Sequence, residues 1–116
     1  LGNTTGSDNV AIGYNALLSN TTESSLIAIG KNAFRSLPAN GGFSLGAIAI
    51  GTDAFYSRTT GIGGLAIGYK AGYSGGSDGT IAIGTYAQYN STDGNNVCVG
   101  HYCLANSVYL GRENLA

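Results

Sequence analysis

The chain has no methionine and no tryptophan, and only one proline (Pro38) and one histidine (His101) in 116 residues. Charge is equally scarce, at 9% of the residues against roughly 25% in ordinary soluble domains. A monomeric globule needs more charge than this to stay in solution, so part of the surface is expected to face another chain rather than water. A net charge of −1 gives no electrostatic reason to expect nucleic acid or an acidic membrane as a partner. No apolar run is long enough to cross a bilayer as a helix. The two cysteines do not make a disulfide framework. There is neither an initiator methionine nor a signal peptide, and both ends fall inside the repeat pattern described below. The expectation is one domain over residues 1–116, a fragment of something longer, so that missing targeting signals say little about location.

What the chain has is glycine, 20 of them, and a repeated word. Val10-Ala11-Ile12-Gly13 recurs as Ile27–Gly30, Ile48–Gly51, Leu65–Gly68, Ile81–Gly84, Val97–Gly100 and Val108–Gly111. Self-similarity at this period, with drift, marks a solenoid whose loops vary in length. Three residues past each glycine stands Ala16, Ala33, Ala54, Ala71 or Ala87, then Cys103 and Asn114; three further on comes Ser19, Ser36, Ser57, Ser74, Asn90 or Asn106. Each unit reads as strand, glycine corner, short second strand and polar turn.

Helix is excluded, because each apolar word is four residues long and ends on glycine, with no 3.6-residue period behind it. Alternation sends Val10 and Ile12 to one face and Ala11 to the other. With both faces apolar, the strand is expected to be buried on both sides. The bulky face is read as the coil interior. The small face (Ala11, Ala28, Ala49, Ala66, Ala82 and Cys98) is read as coil packing or the close approach of another chain. About sixteen residues per coil suit a flattened roll, and seven coils spaced ~4.8 Å apart make a rod roughly 30 Å long. So thin a rod has little core, and oligomerisation is one remedy.

The stretch Asn9–Ala16, NVAIGYNA, resembles the repeat of trimeric autotransporter adhesin heads. The continuation AIGYNALLSNTT looks more like repeats of bacteriophage tail-fibre and tail-spike proteins. The resemblance covers essentially the whole chain. It departs from the adhesin pattern at Tyr14, Tyr69, Leu17, Phe34 and Phe55, where adhesin heads favour Ala and Ser. The resemblance implies an all-β, left-handed parallel β-roll of about seven coils, assembled as an intertwined or side-by-side homotrimer. It also implies an extracellular place on a virion tail or a bacterial surface, and a host glycan or protein as partner. The function expected on this basis is a structural and attachment segment of a viral tail fibre or spike, with a bacterial adhesin head as the alternative.

No residue set points to catalysis, a metal or a cofactor. His101 follows Gly100 in a variable, mostly polar column, as at an exposed corner, with no nucleophile or orienting partner singled out. Cys98 and Cys103 fill alanine slots and read first as small hydrophobes; a bridge within one coil or between chains is the other possibility. With His101 they fall short of the four ligands zinc needs. The acidic turns at Gly6–Asn9, Gly75–Thr80 and Thr92–Asn96 lack the recurring nonapeptide of calcium-binding rolls. The glycines at Gly61–Gly64 lead into a strand, not a helix, so no phosphate loop is indicated. Six acids spread over seven units argue against a solenoid hydrolase, and the threonines are too irregular for an ice-binding face.

Tyrosine carries the recognition signal. Tyr56, Tyr73 and Tyr89 each lie two residues after the repeat alanine and should form a ladder, either packing coil on coil or offering a sugar- or protein-binding stripe. Leu37–Gly46, the longest insertion, carries Phe43 and is expected to be a recognition loop.

Overall fold

The computed structural model describes residues 3–37, 46–58, 63–75, 78–91 and 94–105. Phe43, the tip of the insertion and the seventh repeat word lie outside the described residues.

The chain is an all-β parallel solenoid. Strands β1 (Val10–Ile12), β2 (Ile27–Ile29), β3 (Ile48–Ile50), β5 (Leu65–Ile67), β7 (Ile81–Ile83) and β8 (Val97–Val99) stack into one six-stranded parallel sheet. The register is strict: Ala11 pairs with Ala28, Ala28 with Ala49, Ala49 with Ala66, Ala66 with Ala82, and Ala82 with Cys98. A second, two-stranded ladder joins β4 (Ser57–Arg58) to β6 (Ser74–Gly75), and Ser36 bridges to Ser57 in the same sense. The serine column, expected to be turn, is a second strand column at Ser36, Ser57 and Ser74, while Ser19 and Asn90 lie in turns as expected. Its amides donate across coils, Ser57 N–H to Tyr73 O and Ser74 N–H to Tyr89 O, both at 2.9 Å. The molecule is a flattened slab of 36 × 24 × 17 Å.

The faces of the sheet are the reverse of the sequence reading. Ala28, Ala49, Ala66, Ala82 and Cys98 are completely buried inside the roll, with Ala11 packed against them. The flanking Ile, Val and Leu side chains point outward. The reason is thickness. Cys98 stacks on Ala82, and Cys103 on Ala87 through Gln88 N–H to Cys103 O at 2.7 Å; the two cysteine Cα atoms are 5.8 Å apart across the roll. That gap accepts one small side chain from each side, alanine in most coils and the bridged cysteines in this one. Ala16, Ala33, Ala54, Ala71 and Ala87 form the opposite buried layer.

The corner glycines must be glycine. At Gly51 φ is +130°, and a Cβ there would stand 2.5 Å from the carbonyl oxygen of Gly68; Gly13, Gly30, Gly68 and Gly84 repeat this against the next corner along the stack. Past the corner, the residues two and four positions on also adopt left-handed conformations. The first set is Asn15, Asn32, Asp53, Lys70, Tyr86 and Tyr102; the second includes Leu17, Phe34, Phe55, Gln88 and Leu104. For a side chain other than Gly, Asn or Asp this costs about 1–2 kcal/mol. Coil-to-coil hydrogen bonds hold it, such as Lys70 N–H to Thr52 O and Tyr86 N–H to Tyr69 O, both 2.9 Å. The second set turns inward at the wider part of the roll. Leu17 and Phe34 are fully buried, and Phe34 stacks on Phe55 with centroids 5.2 Å apart. Gly72 completes the column because a Cβ there would meet the Phe55 ring at 2.5 Å.

Candidate functional site

The described tyrosines, Tyr14, Tyr56, Tyr69, Tyr73, Tyr86, Tyr89 and Tyr102, all lie in the segment between a glycine corner and the second strand column. Repetition puts equal positions of successive coils above one another, so tyrosines in one register become a ladder. Tyr56, Tyr73 and Tyr89 form the ladder expected of them. Tyr56 stacks on Tyr73 at 4.9 Å and Tyr73 on Tyr89 at 5.0 Å. Because the rings stack on each other, their flat faces are largely taken up, and this row presents edges and hydroxyls. Arg35 continues the column beyond Tyr56, with Nη1 donating to the Tyr56 hydroxyl at 2.6 Å and its guanidinium 5.3 Å from the ring centre.

A second row runs alongside. Tyr86 stacks on Tyr102 at 4.8 Å and nearly parallel, meets Tyr89 edge-on at 5.1 Å, and meets Tyr69 edge-on at 5.4 Å. This row escaped the sequence reading. Its signal was present, since Lys70, Tyr86 and Tyr102 each stand two residues past the glycine, with Tyr69 one past it. Tyr69 and Tyr102 are the exposed members, at 43% and 54%.

Lys70 sits where the two rows meet. Its Nζ lies 5.4, 5.2, 5.7 and 5.8 Å from the ring centres of Tyr69, Tyr73, Tyr86 and Tyr89, a cation held over four aromatic rings. Desolvation pulls its pKa down, but the Tyr69 phenol, through charge and a hydrogen bond, together with Tyr86 and Tyr89, pushes it above the usual lysine value. Lys70 is therefore charged at neutral pH. Burial raises the Tyr73 phenol, reinforced by Tyr56; partial desolvation and a Tyr69 hydrogen bond raise Tyr86. Three of the five Lys and Arg residues, Lys31, Arg35 and Lys70, belong to corner-to-ladder segments, where Asp53 is the sole acid of the described coils. Asp53 stands in the register of Lys70 one coil earlier, and its charge adds to the upward push on the Tyr73 phenol. Its Oδ1 accepts from Asn32 Nδ2 at 2.9 Å, and Asn32 Oδ1 accepts from Asn15 Nδ2 at 3.2 Å. The same register thus begins as an amide ladder and ends as an aromatic one.

The outward face of the sheet is the other surface of interest. Two columns of β-branched and leucine side chains, one containing Ile27, Ile48 and Leu65, the other Ile29, Ile50 and Ile67, flank the buried alanines and are partly exposed throughout. At the ends of the stack Val10, Ile12 and Val99 are 43%, 58% and 59% exposed.

The cysteines are bridged: Cys98 and Cys103 form a disulfide across one coil. The small-hydrophobe reading of this pair is thereby corrected, because the alanine slots they occupy face each other inside the roll. His101 is exposed at its corner, edge-on to Tyr102 at 4.4 Å. Arg58 is buried beside Phe55, and burial lowers its guanidinium to about 10, with Asp78 offsetting part of the effect. Among the described residues, no group of three or more His, Cys, Asp or Glu side chains is placed to hold a metal ion. No family model, curated protein or solved structure matches the chain.

Proposed function

We propose that this chain is a structural and attachment segment of an extracellular fibre, in which three copies pack through the outward Ile, Val and Leu face of the six-stranded sheet. The exposed apolar columns carry this reading. A sheet face without polar residues, extending over every strand, is the signature of a surface that meets protein. Strands with a solvated face would alternate with polar residues; these strands do not. The low charge of the chain agrees, and the Cys98–Cys103 disulfide suits an oxidising, extracellular setting. The alanine columns, earlier a possible contact with another chain, fill the interior of each roll instead, and the interface moves to the opposite side of the same strands.

Within this reading the roll is left-handed, extends through about seven coils, and belongs to a viral tail fibre or spike. Its role is to hold and present a host-recognition surface, with no catalytic step. The head of a bacterial trimeric adhesin is the second reading, favoured by the NVAIG pattern at Asn9–Gly13; a coiled-coil stalk with a membrane-anchor barrel next to this segment would select it over a virion-attachment domain. The assembly is tested by sedimentation equilibrium of the chain at micromolar concentration. A species of three chains is expected, and a well-folded monomer would overturn the proposal.

A further inference from the structure

Lys70 and its tyrosines are unlike the rest of the repeat. A solenoid needs a residue of acceptable conformation two positions past each corner, and Asn15, Asn32 and Asp53 supply that at low cost because Asn and Asp tolerate the left-handed region. In the later coils the same strained position is given to Lys70, Tyr86 and Tyr102. Packing of the roll does not require this: these side chains point outward, and Tyr102 remains 54% exposed.

The chemistry on offer there is narrow. The backbone around the platform is already paired coil to coil, through Lys70 N–H to Thr52 O, Tyr86 N–H to Tyr69 O and Tyr102 N–H to Thr85 O. Between these described coils there is no room for an extended peptide to add as a strand. What faces outward is a set of exposed ring surfaces at Tyr69 and Tyr102, phenol hydroxyls at roughly regular intervals along the rod, and one ammonium ringed by tyrosines, with the Asp53 carboxylate one coil back and held by Asn32. Ring faces suit the C–H faces of a sugar, hydroxyls suit its hydroxyls, and an ammonium with donors to spare suits a carboxylate or sulfate.

We propose that the Lys70 platform, formed by Tyr69, Tyr73, Tyr86, Tyr89 and Tyr102, binds an acidic carbohydrate, with Lys70 taking the anionic group and Tyr102 and Tyr69 taking the sugar faces. This names the ligand class of the attachment surface and rests on that reading of the chain, but the site lies within a single roll and does not need the trimer.

The test is calorimetric titration of the whole chain with three oligosaccharides: a galacturonate oligomer, its neutral methyl ester and a heparin-derived fragment. Polyglutamate serves as an acidic polymer without sugar. Binding of an acidic oligosaccharide is expected, with the ester at least about tenfold weaker, as for loss of one charge-assisted contact. Tighter binding of the galacturonate oligomer identifies a carboxylate as the group Lys70 takes, whereas tighter binding of the heparin fragment, which carries both carboxylates and sulfates, shows that sulfate adds to the contact. Lys70→Gln and Tyr102→Ala should each weaken binding about tenfold, and Lys70→Arg should retain most of it; unchanged circular dichroism and sedimentation separate these effects from misfolding. The proposal is overturned if neither acidic oligosaccharide binds at millimolar concentration, if Lys70→Gln binds as well as the parent, or if polyglutamate binds as tightly. A three-chain species that binds no sugar defeats this site alone, whereas a monomer that binds sugar defeats the assembly alone.

Discussion

Along the described sheet, the centre of each strand is Ala, or Cys in the sixth, and the flanks are Ile, Val or Leu throughout. Around the corner, the position two residues past the glycine reads Asn, Asn, Asp, Lys, Tyr and Tyr. One side of the roll is written six times with hardly a change, while the other changes its chemistry halfway along. Invariance on the sheet has two causes. Beneath the strand centres the interior is thin, with room for one small side chain from each side, and the outside presents one continuous apolar face. The turn side is free of both demands once its backbone is bonded to the neighbouring coils, so it can carry recognition.

That contrast can be broken from the sheet side first. Gly51→Ala should be the most damaging substitution, at about 3–5 kcal/mol or complete loss of folding, since it combines an unfavourable φ with a clash between backbones. Urea denaturation would measure it, and a loss under about 1 kcal/mol would mean the corner can relax. Ala66→Leu should cost about 3 kcal/mol by the same assay, because the layer it faces has no room to yield. On the turn side, Tyr73→Ala removes the middle ring of the inner ladder and both of its stacking contacts. A loss of about 1–3 kcal/mol in thermal or urea unfolding is expected, with the strands intact by circular dichroism. The smallest effect is that of pH. The folded-state phenols of Tyr73 and Tyr86 lie above their usual value of 10.0, so the native state binds more protons than the unfolded chain above that pH. Their contribution is complete below about pH 10 and is lost as pH rises through the shifted values. Arg58 acts oppositely: burial lowers its guanidinium to about 10, well below the ordinary arginine value, so the cost of burying its charge is relieved as pH rises past about 10. Phenol absorbance should therefore titrate late for two tyrosines, and in an Arg58→Met background the urea midpoint should fall above pH 10.

The stacking of coils, the glycine corners and the Tyr56–Tyr73–Tyr89 ladder were legible in the sequence, because each depends on register, and register is what repetition displays. The direction of the strand faces was not. Alternation separates Ala28 from Ile27 and Ile29 but does not say which side is interior, and the habit of placing bulky residues inside fails when the enclosed space takes only one small side chain from each side. The same thickness explains why the Cys98–Cys103 bridge was left open: spacing alone did not reveal that the two alanine columns face each other. Phe34 and Phe55 looked like departures from an adhesin pattern, yet they fill the wider part of the core. Nothing in their residue types announces a left-handed conformation, which the neighbouring coils impose. The outer row of Tyr86 and Tyr102 stands in plain register, but only two of the six coils carry tyrosine there, and Lys70, which precedes them, is what gives the surface its charge.

The central claim is that the outward face of the sheet, and not the alanine layer, is where copies meet. Ile50→Asp places a charge in the middle of that face without touching the interior. Sedimentation equilibrium of this variant beside the parent, with circular dichroism on both, tests the claim directly. The expected result is a three-chain parent and a monomeric variant with the same β-sheet signal. A parent that is a stable folded monomer, or a variant that still sediments as three chains, would contradict it.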